Sequence, residues 1–172
     1  HGHDALGAVM VYKIFKKLRM PLDQHVKYVQ KLVRYHLRPI SLTKEDITDS
    51  AIRRLLFDAG DEIDDLMILC EADITSKNEK KVKRLLENYE MVRLKLKEIE
   101  DKDRIRNWQP PVSGELIMES FNLKSGPIVG ELKNEIREAI LEGDLENEYN
   151  AAYHFLLELG AKLGLERKSS AQ

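Results

Sequence analysis

Among the side chains of this 172-residue sequence, His3, His36 and Asp73 have the types and placement best suited to chemistry. Asp73 closes the apolar run Leu69-Cys70-Glu71-Ala72-Asp73, which is expected to carry its carboxylate into the interior. A carboxylate and two imidazoles held by three helices would suit a divalent cation or phosphate chemistry, because such sites need oxygen and nitrogen ligands on rigid elements. Each residue also has a plainer reading. A lone histidine on an apolar face, such as His36, is commonly a satisfied core residue. A carboxylate near a core is costly unless partnered, so Asp73 would hydrogen-bond a helix N-terminus or pair with Arg53 or Arg54.

A second group of candidates is cationic. Between Asn78 and Arg106 there are ten Lys or Arg against seven Asp or Glu, and Lys77, Lys80, Lys81 and Arg84 fall on roughly one helical face. They form either a stripe that follows a nucleic-acid backbone or an ordinary solvated surface laced with ion pairs. Lys124, Ser125 and Gly126 lie in a tight turn before Pro127, where helix amides could receive a phosphate or simply join two helices.

The elements that must position these residues are helices. Apolar Val9, Tyr12, Ile14, Phe15 and Leu18 predict a first helix with Asp4 as its N-cap, ending near Met20-Pro21. A second starts near Leu22-Asp23, carries Val26, Val29, Leu32, Val33 and His36 on one stripe, and stops before Pro39. Residues 42–46 read as a connector. Thr48-Asp49-Ser50 caps a helix over 51–59 closed by Gly60, and 61–75 form the next, with Ile63, Leu66, Met67, Cys70 and Ile74 inward. The longest runs from about 79 to 106 on the seam Val82, Leu85, Tyr89, Val92, Leu96 and Ile99. Trp108-Gln109-Pro110-Pro111 breaks it. Beyond lie a helix capped by Ser113 and ending at Phe121, one opened by Pro127 and closed by Gly143, and one from near Asn147 bearing Tyr149, Ala152, Tyr153, Leu156 and Leu163.

Composition narrows the class. Leu, Lys, Glu, Ile, Arg and Ala dominate and Gly and Pro are few, so an all-α chain of about eight helices is expected. A net charge of -2 supplies no overall drive toward nucleic acid. The single cysteine, Cys70, excludes an internal disulfide and suits a reducing, cytoplasmic compartment. No run reaches the ~20 apolar residues of a membrane span. The opening His1-Gly2-His3-Asp4, without an initiator methionine, is expected to begin a fragment.

Several of these stretches together resemble one family. His1-Gly2-His3-Asp4-Ala5-Leu6-Gly7, Leu32-Val33-Arg34-Tyr35-His36 and Leu69-Cys70-Glu71-Ala72-Asp73 are similar, in order and approximate spacing, to the HD domain of bacterial CCA-adding tRNA nucleotidyltransferases of the poly(A) polymerase family. Pro110-Pro111-Val112-Ser113-Gly114-Glu115-Leu116-Ile117-Met118 and Leu123-Lys124-Ser125-Gly126-Pro127-Ile128-Val129-Gly130 look like the tail segment of the same enzymes. The resemblance implies a partial helical HD-type domain over 1–108 and a helical tail module over 109–165 that contacts tRNA. The polar end over 166–172, without an apolar face, is expected to fray. It matches Asp73 to the final aspartate of the HD metal site, His36 to a later histidine and His3 to the one before it. His3-Asp4 spells the contiguous His-Asp pair of that site but occupies the later position, and the pair itself is expected upstream of His1. A divalent cation (Mg, Mn or Ni) is therefore implied for the full-length protein, with a weak half-site here.

The resemblance further implies a role in adding or repairing the 3′ CCA end of tRNA. The nucleotidyltransferase head would be a separate part of the parent chain, leaving this part to bind tRNA without transferring nucleotides. Lys77, Lys80, Lys81, Arg84, Lys124, Ser125 and Gly126 would then be the RNA-contacting residues. Two other readings stand beside this one: an HD-superfamily metal-dependent phosphohydrolase, and a helical protein-interaction module. The long seam is compatible with a homo-oligomer.

Overall fold

A computed structural model describes residues 2–42 and 47–167. His1, residues 43–46 of the expected connector, and the chain end from Lys168 lie outside the described residues. All regular structure among the described residues is helical. The described residues form nine α-helices: α1 (His3–Lys17), α2 (Gln24–Tyr35), α3 (Arg38–Leu42), α4 (Asp49–Ala59), α5 (Ile63–Ala72), α6 (Glu79–Asp103), α7 (Gly114–Phe121), α8 (Pro127–Glu142) and α9 (Tyr149–Lys162). A 3-10 turn, Gly60–Glu62, joins α4 to α5. None of the described helices is long and apolar enough to cross a membrane. The chain divides into two compact units, His1–Asn107 and Trp108–Gln172.

In the first unit the helix starts follow from side chains that satisfy the free amides of a first turn. Asp23 accepts from the His25 amide (3.0 Å), Thr48 Oγ1 from Ala51 (3.2 Å) and Asn78 Oδ1 from Lys81 (3.1 Å). α1 departs from expectation here: its N-cap is Gly2, and Asp4 sits in the first turn. Gly60 has φ 58°, and a Cβ there would lie 2.8 Å from Asn107 Oδ1, so the turn into α5 requires glycine. The helix expected over 61–75 is shortened by this turn at its start and ends at Ala72. α2 ends at Tyr35 with His36 as its C-cap, and Pro39 falls in the first turn of the short α3, where a missing amide costs nothing.

The core of this unit lies where α4 and α5 pack on α6. Ile52, Leu55 and Leu56 of α4, Ile63, Leu66 and Met67 of α5, and Tyr89, Val92, Leu96 and Ile99 of α6 are buried. Each such side chain stabilises the fold by about 1.5–3 kcal/mol relative to exposure. Two partly buried ion pairs tie the same helices: Arg53 Nε to Asp103 (2.7 Å) and Arg93 Nε to Glu71 (2.9 Å). α1 packs on α2 through Val11, Phe15 and Val26. Its inward face is thus Ala8, Val11 and Phe15, and the expected core residues Val9, Tyr12, Ile14 and Leu18 are exposed.

The second unit is a three-helix assembly. Ser113 Oγ caps α7 by accepting from the Leu116 amide (3.2 Å), Pro127 occupies the first turn of α8, and Gly143 (φ 89°) ends it. Residues 147 and 148 precede α9 instead of belonging to it. Ile117, Phe121, Leu132, Ile136, Ile140, Ala152 and Leu156 make the core. Trp108 Nε1 donates to Asn147 Oδ1 (2.7 Å), holding the entry strand of chain near the start of α9.

The tightest approach in this unit is at Gly160, where an added Cβ would come within 2.2 Å of the Phe121 ring. Gly160→Ala is expected to destabilise the protein by about 1–3 kcal/mol in denaturant unfolding, because the ring is locked in the core. Pairing it with Phe121→Leu should recover part of that loss, which two independent defects would not do.

Candidate functional site

The C-terminal ends of α2 and α5, the short α3 and the first half of α6 border a half-open cavity of about 260 Å³. His36 and Ile40 contribute from one side, Cys70 and Asp73 from a second, and Lys81, Leu85 and Tyr89, successive turns of α6, from a third. His36 is half-buried, and its Nδ1 donates to the Val33 carbonyl oxygen (2.6 Å), which leaves Nε2 as an acceptor. Cys70 Sγ donates to the His36 carbonyl oxygen (2.9 Å), fastening the end of α2 to α5. Burial pushes the Cys70 thiol up to about 12, and the neighbouring carboxylates of Asp73 and Glu71 add to that. Burial, then Cys70 and the same carboxylates, likewise raise Tyr89 to about 12. Tyr89 is 1% exposed, yet its hydroxyl makes no hydrogen bond among the described residues.

The expected placement of Asp73 is corrected. α5 stops at Ala72, so Asp73 is its C-cap and is exposed on the cavity wall, not carried into the interior. Nor is Arg53 its partner, since that guanidinium is engaged with Asp103. His3 is exposed, and its ring stands edge-on to that of His36 with centroids 5.6 Å apart. The structure thus brings His3 to His36, and His36 and Asp73 to one cavity. Sequence reasoning placed Tyr89 in the apolar seam and Lys81 on the surface, and missed that both also reach this cavity. The signal was the spacing 81, 85, 89, which puts three side chains one turn apart along a single line of the helix.

Lys77, Lys80, Lys81 and Arg84 are all exposed, and their side chains form no ion pair among the described residues. Lys83, between Lys81 and Arg84 in sequence, lies 4.0 Å from Glu87. Further along α6 paired and unpaired cations mix, Lys97 and Lys102 making no ion pair among the described residues. Arg93 is engaged with Glu71, Lys95 with Asp49 and Glu98, and Arg106 just beyond the helix with Glu100. In the second unit Lys124, Ser125 and Gly126 form the exposed turn between α7 and α8, and the Val129 amide already donates to the Gly126 carbonyl (3.2 Å). Gly126 is fully extended, so this turn carries no backbone strain.

A family profile described as tRNA nucleotidyltransferase domain 2 matches residues 6–156, spanning both units. The chain belongs to this family. Two curated relatives, the CCA-adding enzymes of Streptococcus suis strains 05ZYH33 and 98HAH33, are each 47% identical to it over 45 residues. That stretch is 26% of this chain and 11% of each relative. No solved structure gives a significant match.

The divalent cation implied by the family resemblance does not fit the residues present. Among the described residues no three His, Cys, Asp or Glu side chains are grouped so that they could hold a metal ion. His36 offers one nitrogen, Asp73 faces solvent, and the Cys70 thiol is held protonated by burial. His3, His36 and Asp73 are therefore neighbours without forming a coordination set, and no step of chemistry is routed through a metal here. Addition of Ni2+ or Mn2+ at millimolar concentration should leave the Tm within about 1 °C, since a ligand that favours the native state would raise it.

Cys70 supplies a second test. With its pKa at about 12 instead of the ordinary 9.0, native Cys70 should react with a thiol reagent roughly a thousandfold more slowly than in the unfolded chain at pH 8. The same shift sets a pH dependence. Its stabilising contribution is complete below 9.0 and is lost as pH rises toward about 12, because the unfolded chain releases a proton that the folded chain retains. Cys70→Ala should remove that part of the alkaline loss.

Proposed function

We propose that this chain holds tRNA for an enzyme that adds or repairs the 3′ CCA end, the nucleotidyl-transfer chemistry belonging to a separate head. The observation that carries this reading is the unpaired stripe Lys77, Lys80, Lys81 and Arg84. These cations sit at or before the first turns of α6, the positive end of the helix macrodipole, where positive side chains are unfavourable. Glu79 is the acidic residue of that first turn. A surface that keeps Lys77, Lys80 and Lys81 against the dipole, with Arg84 one turn on and none of them on a carboxylate partner, is suited to an anionic partner, and a phosphate backbone supplies one. The family match and the CCA-adding relatives make tRNA the RNA of choice. Lys124 and the exposed turn before α8 are a second candidate backbone contact, in the other unit.

Binding of the protein to full-length tRNA across a salt series, with an unstructured RNA of equal length as control, tests this. Affinity should favour tRNA and fall steeply with salt. Lys80→Glu combined with Arg84→Glu should reduce the slope of log K against log salt by about 2, because each lost phosphate contact removes close to one released counterion. Charge reversal at Lys97 and Lys102, toward the far end of α6, should change it little. Equal affinity for both RNAs, or an unchanged slope in the double variant, would defeat the proposal.

A further inference from the structure

Tyr89 reaches the cavity from the core side of α6. Its residue is 1% exposed and it lines the cavity, but its hydroxyl has no hydrogen-bond partner among the described residues. The hydroxyl oxygen is nonetheless not sealed in the core: it opens onto the cavity, where it is free to donate to whatever occupies that space. Of the polar groups around it, the Asp73 carboxylate is an acceptor on the cavity wall, while the His36 ring stands against His3, and Thr75 and Ser76 add hydroxyls. Ile40 and Leu85 supply aliphatic wall between them. Lys81 is both a lining residue and a member of the exposed cationic stripe, so the stripe runs to the mouth of the cavity.

These features select a ligand. At about 260 Å³ the space lies just below the range of about 300–1,000 Å³ usual for small-molecule pockets, and it suits a single ring system. Aliphatic walls accept the faces of a flat heterocycle, while acceptors at the edge call for N–H donors. A cation at the mouth calls for a phosphate attached to the same group. An aminated nucleobase in a polynucleotide has all three properties, and proteins that read RNA commonly do so through bases splayed out of the stack. We propose that this cavity receives one unstacked base of the bound RNA, bearing an exocyclic amine that donates to Asp73, with its phosphate against Lys81. The proposal rests on the RNA-holding reading and deepens it, from a backbone-binding surface to one that also selects a base.

The test uses the whole chain and simple probes: AMP, CMP, UMP and ribose 5-phosphate, titrated by ligand-observed NMR. AMP and CMP should bind weakly, with Kd of about 1 mM, and at least about fivefold tighter than UMP or ribose 5-phosphate, which lack the exocyclic amine. Asp73→Asn and Tyr89→Phe should each weaken AMP about five- to tenfold with an unchanged Tm, which separates recognition from folding. AMP binding no tighter than ribose 5-phosphate, or equal to UMP, overturns the proposal, as does full AMP affinity in both variants. Measuring tRNA affinity on the same sample keeps the two readings apart. Retained tRNA binding without base preference removes only the cavity's role, and absent tRNA binding removes the RNA-holding reading while the nucleotide titration still decides the cavity.

Discussion

Burial of the α6 seam is the constraint on which the first unit depends. Tyr89, Val92, Leu96 and Ile99 are 0–6% exposed, and α3, α4 and α5 each pack against this helix. Once those four side chains are fixed inward, the 3.6-residue period leaves no freedom for the others. Lys80 and Arg84 must lie outward, and Lys81 falls on the border beside Leu85, at the edge of the cavity. One rigid helix thus supplies core, cavity wall and charged surface, so their mutual positions are set by the same packing energy that folds the unit.

Paired and unpaired cations mix along α6. Lys83 reaches Glu87 (4.0 Å) in its first half, and Lys97 and Lys102 make no ion pair among the described residues in its second. What sets the N-terminal group apart is the helix dipole that opposes it. Toward the C-terminal end, Arg93, Lys95 and Arg106 satisfy carboxylates of α5, α4 and α6 itself. Toward the N-terminal end, Lys77, Lys80, Lys81 and Arg84 have neither partners nor a favourable dipole. Sequences that specify a fold tend to agree with themselves at every level, and breaches of that agreement concentrate where the protein does something besides fold. Tyr89 opens onto the cavity one helical turn from Leu85 and two from Lys81, so the same helix line carries both the cation and the phenol.

Much of the fold was legible because its signals are local. Asp23, Thr48, Ser113, Pro127, Gly60 and Gly143 mark helix ends by chemistry that acts within one turn, and the structure uses each as expected. The seam of α6 was legible because Val82, Leu85, Tyr89, Val92, Leu96 and Ile99 alternate three and four apart without a break, a longer run than the scattered exposed Leu86, Met91 and Leu94 could make. α1 was misread for the opposite reason. Leu6, Val9, Met10, Tyr12, Ile14 and Leu18 surround the helix with apolar side chains, so periodicity could not tell the face that packs, Ala8, Val11 and Phe15, from the face that does not. Asp73 was misplaced by a single assumption about length. Had α5 continued through Thr75, its carboxylate would have stayed beside Cys70 on the helix; because α5 stops at Ala72, it caps the end and faces out.

That one-turn difference also decides what kind of site the cavity is. A coordination set needs several donors with lone pairs aimed at one point, and here the candidates are already engaged or turned elsewhere. The Cys70 thiol donates to the His36 carbonyl, and the His36 ring donates to Val33. Both bonds serve to fasten the end of α2 against α5, so these two residues build the wall of the cavity and hold it still. A rigid wall with one free carboxylate, one free imidazole nitrogen and one free phenol is poorly arranged to grip a small cation. It is better arranged to meet a donor and an acceptor set apart on the edge of a planar group, the carboxylate taking an N–H and the phenol giving its proton. The neighbourhood of His3, His36 and Asp73 is therefore better matched to recognition than to metal chemistry, although the same residue types first suggested the latter.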